Sequence, residues 1–185
     1  MVTDAAGNTS ANGSGIGAYS SVTIDNAAST VSSLVMSATG AQSGTLNAGD
    51  TVTVTVNMNE VTTVTGTPQL VLGVGSLWVL ANYTGGSGTN NLTFSYTILA
   101  GQTDTNGYGI VANTLTLNGG IIKDASGNNA SLSHLERLTG GNIVDTTAPT
   151  LAMTVGAAGA LVNAAEDTEG TVVTITASDS WTVTL

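Results

Sequence analysis

Thr51-Val52-Thr53-Val54-Thr55-Val56-Asn57-Met58 alternates between polar and apolar side chains along its whole length. In an extended backbone successive side chains point to opposite faces, so the valines and Met58 fall on one face and the threonines on the other. β-Branched residues also favour the extended backbone. This segment therefore predicts a β-strand with Val52, Val54 and Val56 facing a hydrophobic core.

Similar segments occur along the rest of the chain. Thr93-Phe94-Ser95-Tyr96-Thr97-Ile98 alternates in the same way, which places Phe94, Tyr96 and Ile98 on the inward face. Further strands are predicted at residues 31–38, 69–74, 77–83, 114–117 and 171–176. Only residues 133–138 are compatible with a helical turn. Short strands separated by turns rich in Gly, Asn and Asp predict an all-β fold, an antiparallel β-sandwich.

The chain also contains an internal repeat. Val2-Thr3-Asp4-Ala5-Ala6-Gly7-Asn8 returns as Ile122-Lys123-Asp124-Ala125-Ser126-Gly127-Asn128, and Asp25-Asn26-Ala27-Ala28-Ser29-Thr30 returns as Asp145-Thr146-Thr147-Ala148-Pro149-Thr150. Both matches have the same offset of 120 residues, which indicates a tandem array. We predict three units: the C-terminal end of a preceding repeat at residues 1–28, one complete repeat at residues 29–148, and the N-terminal part of a following repeat at residues 149–185.

The charge balance is strongly acidic. The chain has 12 Asp and Glu residues against 2 basic residues, Lys123 and Arg137, and its net charge is −10. Such a chain repels nucleic acid and anionic membranes, so divalent cations are the expected partners. No apolar run approaches the roughly 20 residues that a membrane-spanning helix needs, so no direct membrane insertion is predicted.

No set of residues in the sequence predicts catalysis. Cysteine is absent, which excludes thiol chemistry and thiolate metal sites. His134 is the only histidine, and we interpret it as a packed or surface residue because no nucleophile motif accompanies it. Glu60 and Asp104 lie in different predicted loops, and nothing in the sequence pairs them as a glycosidase requires. We predict that the protein is not an enzyme.

Several motifs together carry a resemblance to a known family. They are Asn47-Ala48-Gly49-Asp50, Leu92-Thr93-Phe94-Ser95-Tyr96-Thr97, Asp124-Ala125-Ser126-Gly127-Asn128 and Asp145-Thr146-Thr147-Ala148-Pro149. In these residues the chain resembles the bacterial immunoglobulin-like repeats of giant surface adhesins. The resemblance implies an immunoglobulin-like sandwich, an extender role in an exported protein of the repeats-in-toxin type, an extracellular location on the cell surface, and calcium at the domain junctions. One departure is Ser29, which stands where the later junction has Pro149 and therefore lacks the fixed φ of proline.

Acidic residues mark the predicted junctions. Asp4 and Asp124 begin the two Asp-x-x-Gly-Asn elements, and Asp25 and Asp145 each follow 21 residues downstream. Ca²⁺ is bound by about 6 to 8 oxygen atoms from carboxylates, carbonyls and water. Domain junctions supply such oxygens because strand ends leave carbonyls unpaired. The alternative is a structural role, in which each Asp caps a turn and Gly supplies the positive φ.

The third repeat adds the densest acidic cluster, Asn163-Ala164-Ala165-Glu166-Asp167-Thr168-Glu169. By alignment this cluster occupies the loop that Asn47-Ala48-Gly49-Asp50 occupies in the middle repeat. We predict a Ca²⁺ site formed by Asp145 with Glu166 or Asp167, and a weaker site formed by Asp25 with Asp50. The alternative is that the acidic cluster is a solvated loop.

Three structural or binding roles are compatible with the sequence. The first is an extender repeat of a bacterial cell-surface adhesin, which contacts neighbouring repeats of its own chain and supports adhesion or biofilm formation. The second is a carbohydrate-binding module for a cell-surface glycan. We interpret Trp78 and Tyr83 as core residues, and in this alternative they are instead exposed and form its stacking surface. The third is a subunit of an extracellular filament in which copies of the chain exchange strands. The repeat period and the acidic junctions favour the first.

Overall fold

The computed structural model describes Ala6 and residues 24–138, 141–155 and 173–177. Over these residues every regular element is a β-strand, so the all-β prediction is confirmed. The strands are β1 (Val31–Thr39), β2 (Thr45–Leu46), β3 (Thr51–Thr65), β4 (Gln69–Val74), β5 (Leu77–Gly85), β6 (Thr89–Thr97), β7 (Thr103–Asp104), β8 (Gly109–Ile110), β9 (Ile121–Asp124), β10 (Arg137–Leu138), β11 (Ile143–Asp145), β12 (Leu151–Val155) and β13 (Val173–Ala177). None of these residues forms a helix long and apolar enough to cross a membrane.

The strands form sheets of unequal size, and all their pairings are antiparallel except that of β11 with β2. The largest follows the order β1-β3-β6-β5-β4-β8-β10, and β9 pairs with the far end of β3. A smaller sheet has the order β2-β11-β7, in which β11 runs parallel to β2 and antiparallel to β7. The buried side chains of both sheets belong to one hydrophobic cluster, as expected for an all-β sandwich.

The core lies against the alternating face of β3. Val52, Val54 and Val56 are completely buried, as the period of two predicted. Val54 lies opposite Phe94 of β6, and the buried Phe94 ring meets the Tyr83 ring edge-on with their centroids 5.7 Å apart. The neighbouring strands and loops add Leu34, Leu46, Leu70, Leu72, Leu92, Ile98, Ile110, Ile122 and Val144 to the same cluster.

β3 is the longest of these strands and belongs to three ladders. It pairs with β1 as far as Met58 and with β9 from Thr62 onward, while β6 pairs with it up to Asn57 and again at Thr62. The register shifts between these two stretches. Glu60 lies in the irregular stretch and has the same parity along the strand as Met58 and Thr62, which are both buried. The change of partner therefore brings a carboxylate to the end of the core-facing side of β3.

The pair β12 and β13 repeats a feature of the complete repeat. These strands lie 120 residues after parts of β1 and β3, and like them they are antiparallel. Val155 pairs with Val173, whereas Val35 pairs with Thr55, so the two registers differ by two residues. A shift of two keeps each side chain on its own face. The repeat boundaries themselves stay a prediction.

Two predicted elements differ from the structure. Residues 114–117 form no continuous strand, and only Thr116 is bridged, through reciprocal backbone hydrogen bonds of 2.8 and 2.9 Å with Gln69. Residues 133–138 contain no helical turn: residues 133–136 have no regular secondary structure, and Arg137–Leu138 form β10. Neither segment has a strong alternation of polar and apolar residues, so its conformation depends on pairing with β4 or β8.

Candidate metal centre

Three carboxylates from distant parts of the sequence meet beside the start of β1. Asp25 lies in the segment that leads into β1, Glu60 lies in β3, and Asp124 ends β9. One carboxylate oxygen from each residue lies within 4.8 Å of the other two. Asp124 is 3% exposed, and the other two side chains are half-buried.

Asp124 is fixed by the turn that it begins. Its Oδ1 accepts backbone hydrogen bonds from Ser126 at 2.9 Å and from Asn128 at 2.8 Å. Gly127 has a φ of 93°, a conformation that L-residues with a side chain rarely adopt. The turn-capping role that the sequence suggested for Asp124 is therefore confirmed. It uses both lone pairs of Oδ1 and leaves Oδ2 as the oxygen that can accept a further ligand.

Asn128 ties this turn to the segment before β1. Its side-chain amide donates to Asp124 Oδ2 at 2.9 Å, to the Asp25 carbonyl at 3.1 Å and to the Ala27 carbonyl at 3.2 Å. The Ser126 hydroxyl donates to Asp25 Oδ2 at 3.3 Å. Ser126 and Asn128 of the Asp-x-x-Gly-Asn element thus hold Asp25 and Ala27, which precede the predicted complete repeat, against the sandwich.

A second group of hydrogen bonds fixes the same segment closer to β1. Asn59 accepts from the Thr30 backbone N–H at 2.7 Å through its side chain and donates its own backbone N–H to the Thr30 carbonyl at 2.9 Å. The Ser29 carbonyl accepts from the Ser131 backbone N–H at 2.8 Å. Ser29 therefore lacks the rigid φ of proline but is held by its neighbours.

The three carboxylates differ in their affinity for protons. Burial raises the pKa of Glu60, and repulsion from Asp124 and then from Asp25 raises it further. Burial also acts to raise the pKa of Asp124, but hydrogen bonds from the Asn128 side chain and from the turn backbone outweigh it, so this pKa is lowered. Asp124 therefore stays ionised more readily than Glu60.

These residues fit a hard divalent cation. Ca²⁺ lies about 2.3 to 2.6 Å from its oxygen ligands, so two ligands of one ion are at most about 5 Å apart. The mutual distances of 4.8 Å or less fall within that limit. Carboxylates without histidine or cysteine suit Ca²⁺, Mg²⁺ or Mn²⁺ rather than zinc or copper. A bound cation would also offset the repulsion that raises the Glu60 pKa.

Comparisons with family models, curated proteins and solved structures find no match. The likeness to adhesin repeats therefore stands on the motifs quoted above. A proposal for the function therefore also has to be argued from the arrangement of Asp25, Glu60 and Asp124.

The structure corrects the predicted pairing of Asp25 with Asp50. Thr39, at the far end of β1 from Asp25, pairs with Thr51, and Asp50 precedes Thr51. The two acids are thus separated by the length of β1, which is about 30 Å for nine extended residues. Asp50 Oδ2 accepts the Asn47 backbone N–H at 2.7 Å instead. Antiparallel pairing of β1 with β3 is the physical reason, because it places the loop before β3 at the opposite end of the sheet.

The other predicted ligands lie elsewhere. Asp145 follows Val144, which pairs in parallel with Leu46, so Asp145 lies at the Asp50 end of the domain. Its Oδ1 accepts the Thr147 backbone N–H at 2.9 Å. Asp4, Glu166 and Asp167 are outside the described residues. The predicted site around Asp145 accordingly stays a prediction.

Glu60 is the ligand candidate that the sequence interpretation missed. From the sequence, Glu60 is predicted to lie in a loop without a partner, whereas it lies within β3. A usable signal was present, because Glu60 continues the inward series Val52, Val54, Val56 and Met58 at intervals of two. An acid at an inward position needs a hydrogen bond, a proton or a cation.

The two other candidate groups are part of the packing. Both ring nitrogens of His134 are engaged: Nε2 accepts the backbone N–H groups of Thr114 at 3.0 Å and Leu115 at 3.2 Å, and Nδ1 lies 2.9 Å from the Leu135 carbonyl. The interpretation of His134 as a packed residue is confirmed, with the ring 6% exposed. The interpretation of Trp78 and Tyr83 as core residues is right for Tyr83, which packs on Phe94, and wrong for Trp78, which is 76% exposed on the other face of β5. Because the two rings lie on opposite faces, they also form no joint stacking surface.

Proposed function

We propose that the chain is a structural extender, a tandem immunoglobulin-like repeat of a bacterial cell-surface adhesin whose junctions are stiffened by Ca²⁺. One observation carries the proposal: a carboxylate oxygen of Asp25, which belongs by sequence to the end of the preceding repeat, lies within 4.8 Å of carboxylate oxygens of Glu60 and Asp124 of the next one. A spacer needs this kind of contact between successive domains. Support for adhesion or biofilm formation and an extracellular location belong to the same proposal.

The hydrogen bonds explain how the junction resists bending. Asn128 holds the carbonyls of Asp25 and Ala27, and Asn59 holds Thr30 from the other side. Bending the chain at residues 25–30 would break several of these bonds together, each with a net value of about 0.5 to 1.5 kcal/mol. The junction is therefore held by short-range contacts even before any ion binds.

Calcium binding would add a stabilising free energy that depends on the calcium concentration. Binding only to the assembled junction stabilises it by RT ln(1 + [Ca²⁺]/Kd), which is about 2.7 kcal/mol at a hundredfold excess over Kd. Extracellular calcium modules commonly have a Kd of about 10⁻⁴ to 10⁻³ M. A site of this strength is filled outside a cell and empty inside it, so the repeat array would stiffen on export.

Calorimetric titration with Ca²⁺ tests the proposal. We expect Glu60→Gln and Asp25→Asn to abolish the heat of the junction site, because each removes one of three carboxylates while keeping the size of the side chain. Glu136→Gln is the matched control, since Glu136 is an exposed acid outside the cluster. Asp145→Asn reports separately on the other predicted site. Equal heats in all variants, with a melting temperature that chelator does not change, would contradict the calcium proposal.

The filament alternative has one observation in its favour. Among the residues that the structure describes, β1 is an edge of the largest sheet and pairs with β3 alone, with one bridge from Thr30 to Ser131 just before it, so the outer side of β1 can accept an added strand. Sedimentation at increasing concentration tests this role. Assembly that Ca²⁺ does not influence would favour the filament, and a monomer at every concentration would remove it.

A further inference from the structure

A row of four residues crosses the largest sheet at one register. Trp78 of β5 pairs with Gly73 of β4, Gly73 pairs with Gly109 of β8, and Gly109 pairs with Leu138 of β10. Directly paired residues point to the same face of a sheet. The core side at this level is occupied by Leu72 and Ile110, so the row faces away from the core.

The row has large side chains at its two ends and none in the middle. Trp78 is 76% exposed and Leu138 is 69% exposed. A Cβ on Gly109 would lie 2.7 Å from Leu138 Cδ2 and 2.9 Å from the Arg137 carbonyl, so Leu138 leans over that glycine. A Cβ on Gly73 would meet only the Gly109 carbonyl oxygen, at 3.7 Å. Bare backbone at Gly73 therefore forms an open floor beside an exposed indole.

A cleft of about 190 Å³ adjoins this floor. It is lined by Gly73, Gly109 and Leu138, by the loop at residues 104–107, and by Glu136. The buried Asp104 carboxylate holds the loop, because it accepts the backbone N–H groups of Gly75 at 2.6 Å, Gly107 at 2.9 Å and Asn106 at 3.1 Å.

Polar groups at the rim of the cleft are available to a ligand. The Asn106 and Glu136 side chains are exposed, and neither has a side-chain hydrogen bond with any residue that the structure describes. The cleft offers a flat glycine floor, an amide and a carboxylate, and the row beside it adds the exposed Trp78 indole, which does not line the cleft itself. Small-ligand sites in proteins have this mixture of apolar walls and a few polar groups.

We propose that this surface, the Trp78–Gly73 face with the adjoining cleft, binds a neutral hexose ring of a polysaccharide. The indole stacks on the apolar C–H face of the sugar, the glycine floor permits close approach, and Asn106 and Glu136 bond the hydroxyl groups. Glu136, Asp104 and the net charge of −10 repel anionic sugars, which sets the selectivity. The site is independent of the carboxylate cluster at the junction and goes beyond the extender role.

Native gel electrophoresis through immobilised polysaccharide tests the proposal in the presence of chelator, so that calcium plays no part. We expect the neutral polysaccharides dextran or galactomannan to retard the chain and the anionic polysaccharide alginate to leave its mobility unchanged. Trp78→Ala should weaken binding about fivefold or more, the range of one aromatic contact. Val35→Ala is the control, because Val35 is an exposed apolar residue on the outer face of β1 and should keep full retardation.

Gly73→Ala distinguishes ligand binding from a purely structural role, in which Trp78 only covers the neighbouring strand β4. The new methyl group meets no close atom, so the fold and melting temperature are kept, while the methyl group fills the floor and weakens retardation. Three results would overturn the proposal: no retardation by either neutral polysaccharide, equal retardation by alginate, or full binding in both the Trp78→Ala and Gly73→Ala variants. A concentration-dependent dimer in sedimentation that Trp78→Ala abolishes would assign the face to a second copy instead. None of these outcomes bears on the calcium titration.

Discussion

Asn128 is the single residue that connects most parts of the junction. Its amide reaches Asp124, Asp25 and Ala27, whereas the neighbouring Asn129 side chain makes no such contact. One side chain thus serves the turn, the carboxylate cluster and the segment before β1. An asparagine suits this position because its amide donates two hydrogens without adding charge to an acidic cluster.

Asn128→Ala is expected to lower the free energy of unfolding by about 1 to 3 kcal/mol, because it leaves partly buried acceptors without donors. Chemical denaturation measures the change. Asn129→Ala is the control and should be close to wild type. Equal stability of the two variants would show that the Asn128 contacts do not hold the junction.

Glu60 gives the junction a pH dependence with a definite sign. A carboxyl group whose folded pKa is raised binds protons more tightly when folded, so it opposes folding above that pKa and ceases to do so as the pH falls through it. Asp124 acts in the opposite direction, because its lowered pKa contributes stability that is lost as the pH falls below its ordinary range. Asp25 is the remaining charged group that faces Glu60.

In chelator we therefore expect the wild-type melting temperature to rise as the pH falls from neutral towards the raised Glu60 pKa, and to fall again at lower pH as Asp124 is protonated. Glu60→Gln should be more stable than wild type at neutral pH without metal and should lose the rising part of the profile. Parallel profiles for the two proteins would mean that Glu60 does not interact with its neighbours.

At the scale of elements, β3 and β6 form the centre of the core. Val54 and Phe94 lie opposite each other and are both fully buried, while Ser95 points to the other face of β6. Because side chains alternate between the two faces of β6, a substitution at Phe94 should change the free energy of unfolding strongly, and a substitution at Ser95 should change it little.

Phe94→Ala should lower the free energy of unfolding by about 3 to 5 kcal/mol, because it removes a buried ring and leaves a cavity. Ser95→Ala should change it by about 0.5 kcal/mol or less. Urea denaturation followed by circular dichroism compares the two. A small effect for Phe94→Ala would place the ring outside the core.

At the scale of the whole molecule, the two predicted junctions lie at opposite ends of the described sandwich. Asp25 lies beside the start of β1, and Asp145 lies beside the loop that follows β2. A chain that enters a domain at one end and leaves it at the other extends when the domain is repeated. This arrangement suits a spacer.

A chain with a second copy of residues 29–148 should therefore be longer by about 30 Å or more, the length of nine extended residues such as β1. Small-angle scattering gives the maximum dimension, and Ca²⁺ should sharpen its distribution. An added repeat that leaves the maximum dimension unchanged would indicate side-by-side packing and would argue against the extender role.

The sequence by itself determined the local features, which are the buried faces of the strands and the positions of turns. Val52, Val54, Val56 and Phe94 were placed correctly because the period of two is a property of the extended backbone. The turn at Asp124 was identified because Asp and Gly act over a few residues. The same parity argument also separates Trp78 from Tyr83, since positions an odd number apart face opposite ways, and the stacking interpretation overlooked it.

Only the tertiary structure decided which acids meet. Asp25, Glu60 and Asp124 are far apart in sequence, and their approach depends on the change of β3 partner from β1 to β9 and on the antiparallel direction of β1. The glycine row from Trp78 to Leu138 likewise depends on the register of four strands. Register and strand order arise from pairing between distant segments and from packing of a common core, and no local pattern in the chain encodes them.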